Sequence, residues 1–87
     1  MVEREVMITN RSGLHTRPAA SLVKAAAKFK SDFYITKDGI EINGKSIIGV
    51  MTLAAEQGSK LILQFSGEDE VEAAETVVGL FQRGFDE

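Results

Sequence analysis

The stretch RSGLHTRPAAS, residues 11–21, contains the only histidine and the only proline of an 87-residue chain. It passes from a glycine through His15 into small residues whose apolar members recur at helical spacing. Proline is tolerated in the first turn of a helix because its missing N–H would have no partner there. The stretch therefore predicts a helix with His15 as its N-cap that runs from Thr16 to about Phe29. Its buried face is expected to contain Pro18, Leu22, Ala26 and Phe29.

Alternation of apolar and polar residues predicts four strands in the rest of the chain. The first has Val2, Val6 and Ile8 on one face. Between the second and third strands, Asp38 and Gly39 predict a two-residue hairpin turn, because a type I′ turn needs positive φ at both positions. The predicted strands are residues 2–9, 33–37, 40–42 and 60–66.

Two further helices are predicted. Ser46 is placed to cap a short helix over residues 47–55, for which Gly58 would be the stop. Asp69 and Glu72 form a D-x-x-E pattern that resembles a capping box, so the last helix should begin there and end near Gly84. Its inward-facing residues are expected to be Val71, Ala74, Val77, Val78 and Phe81.

The order of these elements is β-α-β-β-α-β-α. It predicts an α+β fold of the open-faced β-sandwich type, in which three helices cover one face of a four-stranded antiparallel sheet. The length predicts a single domain over residues 1–87.

The chain is slightly acidic, but its charges are unevenly distributed. Ten Lys and Arg stand against 13 Asp and Glu, a formal net charge of −3. This balance argues against a nucleic-acid partner, which needs a basic face. Between Arg11 and Lys30, however, every charged side chain is basic. We expect this basic patch to bind an acidic protein surface or a phosphoryl group.

The chain contains no cysteine and no apolar run of the roughly 18 residues needed to span a membrane. These features favour a cytoplasmic location with no membrane partner. We also expect the chain to be a monomer.

The residues around His15 suggest a phosphoryl acceptor. The backbone N–H groups of Thr16 and Arg17 lie at the positive end of the helix, where they can bind an anion beside the imidazole. The Arg17 guanidinium can add a charge-assisted contact. Gly13 can take positive φ, and the small side chains of Ala19 and Ala20 leave room for a flat partner.

No second histidine and no cysteine is available to form a metal site or a catalytic dyad with His15. The pattern is that of a carrier without cofactor or metal, whose chemistry is completed by other proteins. From these residues alone, a helix cap and a phosphoryl acceptor remain equal alternatives for His15.

Three segments resemble the HPr family of histidine-containing phosphocarriers of the bacterial phosphoenolpyruvate-dependent phosphotransferase system. GLHTRPAA at 13–20 resembles the active-site motif, KSIIGVMTLA at 45–54 the regulatory-serine segment, and GEDE at 67–70 the last turn. The likeness is collinear over essentially the whole chain. Thr16 stands where many relatives have alanine, a variation that the family tolerates.

The resemblance implies a function for each segment. His15 would take a phosphoryl group on Nδ1 from enzyme I and pass it to enzyme IIA domains, with Arg17 assisting the transfer. Ser46 would be a target of the ATP-dependent HPr kinase/phosphorylase. Because regulatory paralogues replace the histidine, the presence of His15 favours the carrier role.

Ser46 and the apolar residues after it each allow two interpretations. Ser46 is either a helix cap or a phosphorylation site, and the form KSIIGVM favours the second. Val50, Leu53 and Ala54 can fill the core stripe of the short helix, so its other apolar side chains are either additional core or an exposed docking surface. The expected docking surface consists of Ala20, Lys24, Ile47, Ile48 and Met51.

Two other functions remain as alternatives. A small acylphosphatase-like hydrolase would need an arginine-lined anion loop and a positioned asparagine, for which Arg11, Arg17 and Asn10 are available. An RNA-binding module would use the exposed sheet face, against which the net charge argues. Release of phosphate from acyl phosphates without partner proteins would identify the first, and salt-dependent RNA binding the second.

Overall fold

The computed structural model describes all 87 residues and has the predicted order of strands and helices. The α+β open-faced sandwich is confirmed. A short 3₁₀ turn follows the last helix. The elements are β1 (Val2–Met7), α1 (Thr16–Ala26), β2 (Asp32–Lys37), β3 (Ile40–Asn43), α2 (Ile47–Thr52), β4 (Lys60–Ser66), α3 (Glu70–Gln82) and the 3₁₀ turn (Gly84–Asp86).

The four strands form one antiparallel sheet in the order β1-β4-β2-β3. Alternation assigns one face to the helices and the other to solvent. On the helix side Phe33 pairs with Phe65 across β2 and β4, and their rings stack with centroids 4.6 Å apart. On the opposite side Glu5, Ile62 and Thr36 lie in one row and are partly or fully exposed.

One core lies between the sheet and the helices, and it contains 19 buried apolar residues. The hairpin prediction is confirmed, since Asp38 and Gly39 have φ of 51° and 81°. Gly44 allows a close approach, because a Cβ at this position would collide with the ring of Phe33. No helix of the structure is long and apolar enough to cross a bilayer.

Helix α1 ends earlier than the sequence predicts, at Ala26 instead of Phe29. The amides of Lys28 and Phe29 bond three residues back, which tightens the chain into turns. The Phe29 carbonyl accepts a hydrogen bond from the Lys45 ammonium at 2.7 Å instead of from a further turn of helix. Phe29 is half-buried, packed against the core.

Other boundaries also differ from the prediction, since β2 begins at Asp32 instead of Phe33 and β3 ends at Asn43 instead of Ile42. Strand β1 stops at Met7, because Ile8 exchanges hydrogen bonds with Ser59 and Gly58 outside the sheet. Helix α2 stops at Thr52 instead of residue 55, and the first residue with positive φ after it is Ala54 (50°), while Gly58, whose φ is also positive (89°), lies further along the loop. Ala54 is exposed, so the expectation that it fills the core stripe of this helix is wrong.

The predicted capping box at the start of α3 is wrong. Asp69 is the N-cap residue, but its carboxylate accepts from the Lys30 and Ser31 amides at 2.8 and 2.9 Å and from the Ser31 hydroxyl. It therefore ties α3 to the turn between α1 and β2. Glu70, and not Glu72, reaches back to a backbone amide, that of Gly67 at 3.1 Å.

Val71 was expected to face inward, but it is 54% exposed. The buried stripe of α3 passes through Ala73 and Ala74 and leaves Val71, in the first turn, on the outer side. Ala74, Val77 and Phe81 are buried as predicted.

Candidate functional site

His15 is the N-cap of α1 and lies at the surface. Its backbone is extended (φ −77°, ψ −167°), and its carbonyl accepts the Ala19 N–H at 2.8 Å, which begins the helical ladder. The imidazole makes no cap hydrogen bond and is exposed. The backbone of His15 therefore caps the helix, while its ring remains available for chemistry.

The first turn of α1 provides donors beside this ring. The N–H groups of Thr16 and Arg17 have no acceptor within the helix, because the first intrahelical hydrogen bond is donated by Ala19, and the third residue of the turn, Pro18, has no N–H. Arg17 is exposed and forms no salt bridge. Together the amides, the helix dipole and the guanidinium favour an anion at this end of α1.

The loop before His15 rests on the segment that follows α2. Gly13 has φ of 64°, and a Cβ there would lie 2.5 Å from the Ala55 carbonyl oxygen. The same oxygen accepts the Leu14 N–H at 2.9 Å, and Leu14 is buried. The prediction of positive φ at Gly13 is confirmed, and the close contact is an additional reason for glycine here.

A shallow groove of about 310 Å³ runs along the other side of His15. It is lined by Met51 and Glu56, together with the backbone around Ala54, so α2 and α1 share the approach to the imidazole. Ala20 is exposed as expected, but Ala19 is fully buried and does not border the ring. A second groove, of about 280 Å³ between β1 and α3, contains neither His15 nor Arg17.

Ser46 lies at the opposite end of α2 from this groove. Its hydroxyl accepts the Gly49 N–H at 3.1 Å, so the predicted cap is confirmed. Val50 and Leu53 fill the core, whereas Ile47, Ile48 and Met51 are 38%, 76% and 44% exposed. Lys24, on α1, is exposed as well. The residues expected to form a docking surface are thus accessible.

The sequence did not indicate a second group of residues beside His15. The Asn10 amide nitrogen donates to the Gly13 carbonyl at 2.9 Å, to the Ser12 hydroxyl at 3.2 Å and to Oε1 of Glu87 at 3.2 Å. The Ser12 hydroxyl also bonds that oxygen. No sequence pattern could have shown this cluster, because Ser12 and Glu87 are 75 positions apart.

The electrostatics of this cluster involve His15 and Arg17 as well. Hydrogen bonds from Ser12 and then Asn10 lower the pKa of the Glu87 carboxyl, and the charges of Arg17 and His15 lower it further. No group of three His, Cys, Asp or Glu side chains is arranged to hold a metal ion.

Comparison with known proteins gives matches over nearly the whole chain. The family model described as "PTS HPr component phosphorylation site" matches residues 2–83. The phosphocarrier protein HPr of Treponema pallidum is 47% identical over 87 residues, covering 100% of this chain and 99% of that protein. The HPr-like protein Crh of Bacillus subtilis is 43% identical over 82 residues, 94% of this chain and 96% of that protein.

Solved structures give the same result. A crystal structure of HPr from Thermoanaerobacter tengcongensis superposes with a TM-score of 0.98 at 42% identity, covering 100% of this chain and 98% of that one. A structure of an HPr dimer from that organism has a TM-score of 0.81, also at 42% identity, and covers 100% of both chains.

Proposed function

Because the chain belongs to the HPr family of phosphocarriers of the phosphotransferase system, we propose that it is a cytoplasmic, single-domain carrier of a phosphoryl group on His15. It accepts the group on Nδ1 from phosphoenolpyruvate-charged enzyme I and passes it to enzyme IIA domains. The observation that carries this proposal is the exposed imidazole at the N-terminus of α1, which caps no amide of its own helix.

The acceptor step needs little from the chain itself. The Nδ1 lone pair of neutral His15 forms a bond to phosphorus as the bond from phosphorus to the donor nitrogen of enzyme I breaks. The electron pair of that bond stays on the donor, and the proton on Nε2 of His15 is then free to leave to solvent. Transfer to enzyme IIA is the same exchange with His15 as the leaving group.

The protein's contribution is to place positive charge where the phosphoryl oxygens arrive. Nδ1 is the ring nitrogen nearer the backbone, so a phosphoryl group on it can reach the amides of Thr16 and Arg17. The exposed Arg17 guanidinium has no carboxylate within salt-bridge distance and can swing toward the same oxygens. These contacts stabilise the charge that spreads over the oxygens during transfer.

A carrier fits this site better than a hydrolase. Asn10, the asparagine that a hydrolase would use to orient water, is 6% exposed, and its amide nitrogen donates inside the loop. It therefore supports the loop and does not face a substrate. The alternatives of an acylphosphatase-like enzyme and an RNA-binding module are not favoured.

We further propose that Ser46 is a regulatory phosphorylation site for an HPr kinase/phosphorylase. Its hydroxyl lies next to Ile47 and Ile48, which we assign to the surface that docks enzyme I together with Ala20, Lys24 and Met51. Phosphate at Ser46 would place a dianion within that surface. The chain is expected to act as a monomer, although an HPr dimer is among its structural relatives.

Incubation with phosphoenolpyruvate and catalytic enzyme I tests the carrier proposal. Wild-type protein should gain one acid-labile, base-stable phosphoryl group, and His15→Ala should gain none while its thermal melt stays the same. Adding enzyme IIA should remove the label from the wild type. A labelled His15→Ala protein would refute the assignment. Rapid release of phosphate from an acyl phosphate without partner proteins would indicate the hydrolase.

A further inference from the structure

Two carboxylates lie near His15, and the fold uses only one of them. Glu87 accepts hydrogen bonds from Asn10 and Ser12 and is thereby tied to the loop before α1. Glu56 lines the groove on the other side of the imidazole and is exposed. Its carboxylate forms no hydrogen bond and no salt bridge within the chain. The charge of Glu56 is therefore available to a partner.

The backbone at Glu56 is held in place, although its side chain is free. The carbonyl of the buried Ala55 accepts the Leu14 N–H at 2.9 Å. The Glu56 N–H donates to the Ser59 hydroxyl at 3.0 Å, and the Glu56 carbonyl accepts the Ser59 N–H at 2.9 Å. A Cβ at Gly13 would lie 3.0 Å from the Glu56 Cα. These contacts keep Glu56 directly against the loop before α1.

Glu56 has the opposite charge to the residues of the basic patch. Between Arg11 and Lys30 every charged side chain is basic and exposed. Such a patch favours a partner with an acidic surface. A surface that is acidic throughout would also be repelled by Glu56 at the groove beside His15.

Docking of enzyme I covers the groove that Glu56 lines. Met51 and His15 line the same groove, and both belong to the surface that we assign to enzyme I. Transfer also brings the donor nitrogen of enzyme I to within one phosphoryl group of the His15 ring. A carboxylate that is covered in this way loses its water, which is unfavourable unless a cation or another donor replaces that water.

We propose that Glu56 is a specificity residue for docking, which selects a partner that presents a lysine or arginine beside its phosphoryl-donating nitrogen on an otherwise acidic surface. This inference rests on the proposed function and adds the chemistry of the partner's surface to it. The partner's cation pairs with Glu56 across the groove, while acidic side chains of the partner pair with the basic patch. A partner without that cation leaves Glu56 covered and unpaired, so it binds less tightly.

Substitutions at Glu56 test the sign of the partner's charge. Glu56→Gln removes the negative charge, and Glu56→Lys reverses it. Glu41→Gln and Glu41→Lys are the matched controls, because they change the net charge equally. Glu41 is exposed and pairs with Thr36 on the face of the sheet away from the helices. Steady-state phosphorylation by phosphoenolpyruvate and the cognate enzyme I gives KM and kcat for each variant.

The KM of enzyme I for Glu56→Gln should rise about three- to tenfold, between the effects of an exposed and a covered ion pair, and for Glu56→Lys it should rise further. The kcat should remain at the wild-type value, because neither substitution changes the acceptor nitrogen. The rise in KM should shrink as the salt concentration increases. An unchanged or lower KM for Glu56→Lys would overturn the inference, as would an equal rise for the Glu41 variants.

Phosphoramidate, a small chemical donor, separates docking from the chemistry at His15. The Nδ1 lone pair forms the new N–P bond while the N–P bond of the reagent breaks, and ammonia leaves with that electron pair. Both Glu56 variants should react with this reagent at close to the wild-type rate. A loss in Glu56→Lys that is equally large with phosphoramidate would place the effect at the imidazole and overturn the docking role.

The same measurements distinguish this inference from the carrier proposal. If phosphoramidate labels the wild type and enzyme I does not, the carrier proposal fails and the inference fails with it. If enzyme I labels the wild type and both Glu56 variants with equal KM, only the inference is overturned.

Discussion

The imidazole of His15 is exposed and makes no cap hydrogen bond, while the backbone of the same residue begins helix α1 through the Ala19 N–H. Side chain and backbone therefore have separate tasks. Substitution of the side chain leaves the backbone cap in place. We therefore expect a variant at this position to change phosphoryl transfer without changing the stability of the fold. The same separation applies to Arg17, which is exposed and contributes nothing to the core.

Arg17→Ala should slow phosphoryl transfer in both directions without lowering the melting temperature. Loss of one charge-assisted contact to a phosphoryl oxygen costs about 1.5–3 kcal/mol, or about 10- to 150-fold in rate. Rapid-quench transfer kinetics with enzyme I and enzyme IIA give the measurement. Lys28→Ala, which removes another exposed cation of the same helix region, is the control. Wild-type rates in Arg17→Ala would show that the residue is only a surface charge.

Gly13→Ala should destabilise the fold by at least about 2 kcal/mol. Alanine would have to keep φ of 64°, and its Cβ would also meet the Ala55 carbonyl oxygen at 2.5 Å. Gly39→Ala is a matched control, since Gly39 has φ of 81° with no atom within 4 Å of the Cβ position. The control should lose only about 1–2 kcal/mol from the backbone term. Equal losses in urea unfolding of the two variants would contradict the close contact at Gly13.

At the scale of secondary-structure elements, the boundaries are decided by contacts between elements. D-x-x-E at Asp69 is a good local capping pattern. The Asp69 carboxylate nevertheless accepts hydrogen bonds from the backbone N–H groups of Lys30 and Ser31, in the turn after α1. Lys45 likewise takes a carbonyl at the end of α1. Local patterns predicted where elements lie, but not these choices of partner, since the partners are distant in sequence.

The tie between Asp69 and the α1–β2 turn should make stability depend on acid pH. The Ser31 hydroxyl, followed by the Lys30 amide, lowers the pKa of Asp69 to about 2. Because the folded-state pKa lies below the unfolded value of about 3.9, this contribution is complete above about pH 5. It is then lost as the pH falls toward 2.

Urea unfolding between pH 7 and pH 2 measures this dependence. Asp69→Asn should be less stable than wild type at pH 7, and the difference between them should shrink as the pH falls. Asp32→Asn, which alters an exposed acid outside this network, is the control. A stability difference that stays constant over this range would contradict the role of the ionised carboxylate.

Ser46→Asp should weaken binding to enzyme I without unfolding the domain, and phosphate at Ser46 should weaken it further. Negative charge at the N-terminus of α2 is locally favourable, so the melting temperature should hold or rise slightly. On docking, the charge would lie beside Ile47, Ile48 and Met51 and face an enzyme I surface that we expect to be acidic. The loss in affinity for phosphoserine should be about 100-fold or more.

Calorimetric binding to enzyme I alongside thermal melts tests this expectation. Ser46→Ala is the control, since it removes the cap hydrogen bond without adding charge. It should lower stability by about 1 kcal/mol and leave affinity almost unchanged. Wild-type affinity in Ser46→Asp, or a loss explained by melting alone, would leave Ser46 as a cap only.

At the scale of the whole molecule, local patterns were sufficient for the architecture. The order β-α-β-β-α-β-α could be predicted because its signals each lie within a few consecutive residues. These signals are the alternation in the strands, the turn at Asp38 and Gly39, and the His15 cap. His15 also stands out within its own segment, but the residues alone left a helix cap and a phosphoryl acceptor as equal alternatives, and the resemblance of GLHTRPAA to the HPr motif favoured the acceptor. What could not be predicted is the hydrogen bond from Asn10 to Glu87 and the place of Glu56 in the groove beside His15, because the fold brings these residues together from distant parts of the chain.

The central claim is that the ring nitrogen nearer the backbone of His15 carries the phosphoryl group. Heteronuclear NMR on protein with ¹⁵N-labelled imidazole, after phosphorylation by phosphoenolpyruvate and enzyme I, identifies the substituted nitrogen by its coupling to phosphorus. We predict that the coupling occurs at Nδ1 of His15 and that the Thr16 and Arg17 amide signals move at the same time. Phosphorus on Nε2, or a phosphoprotein in which neither amide responds, would contradict the account.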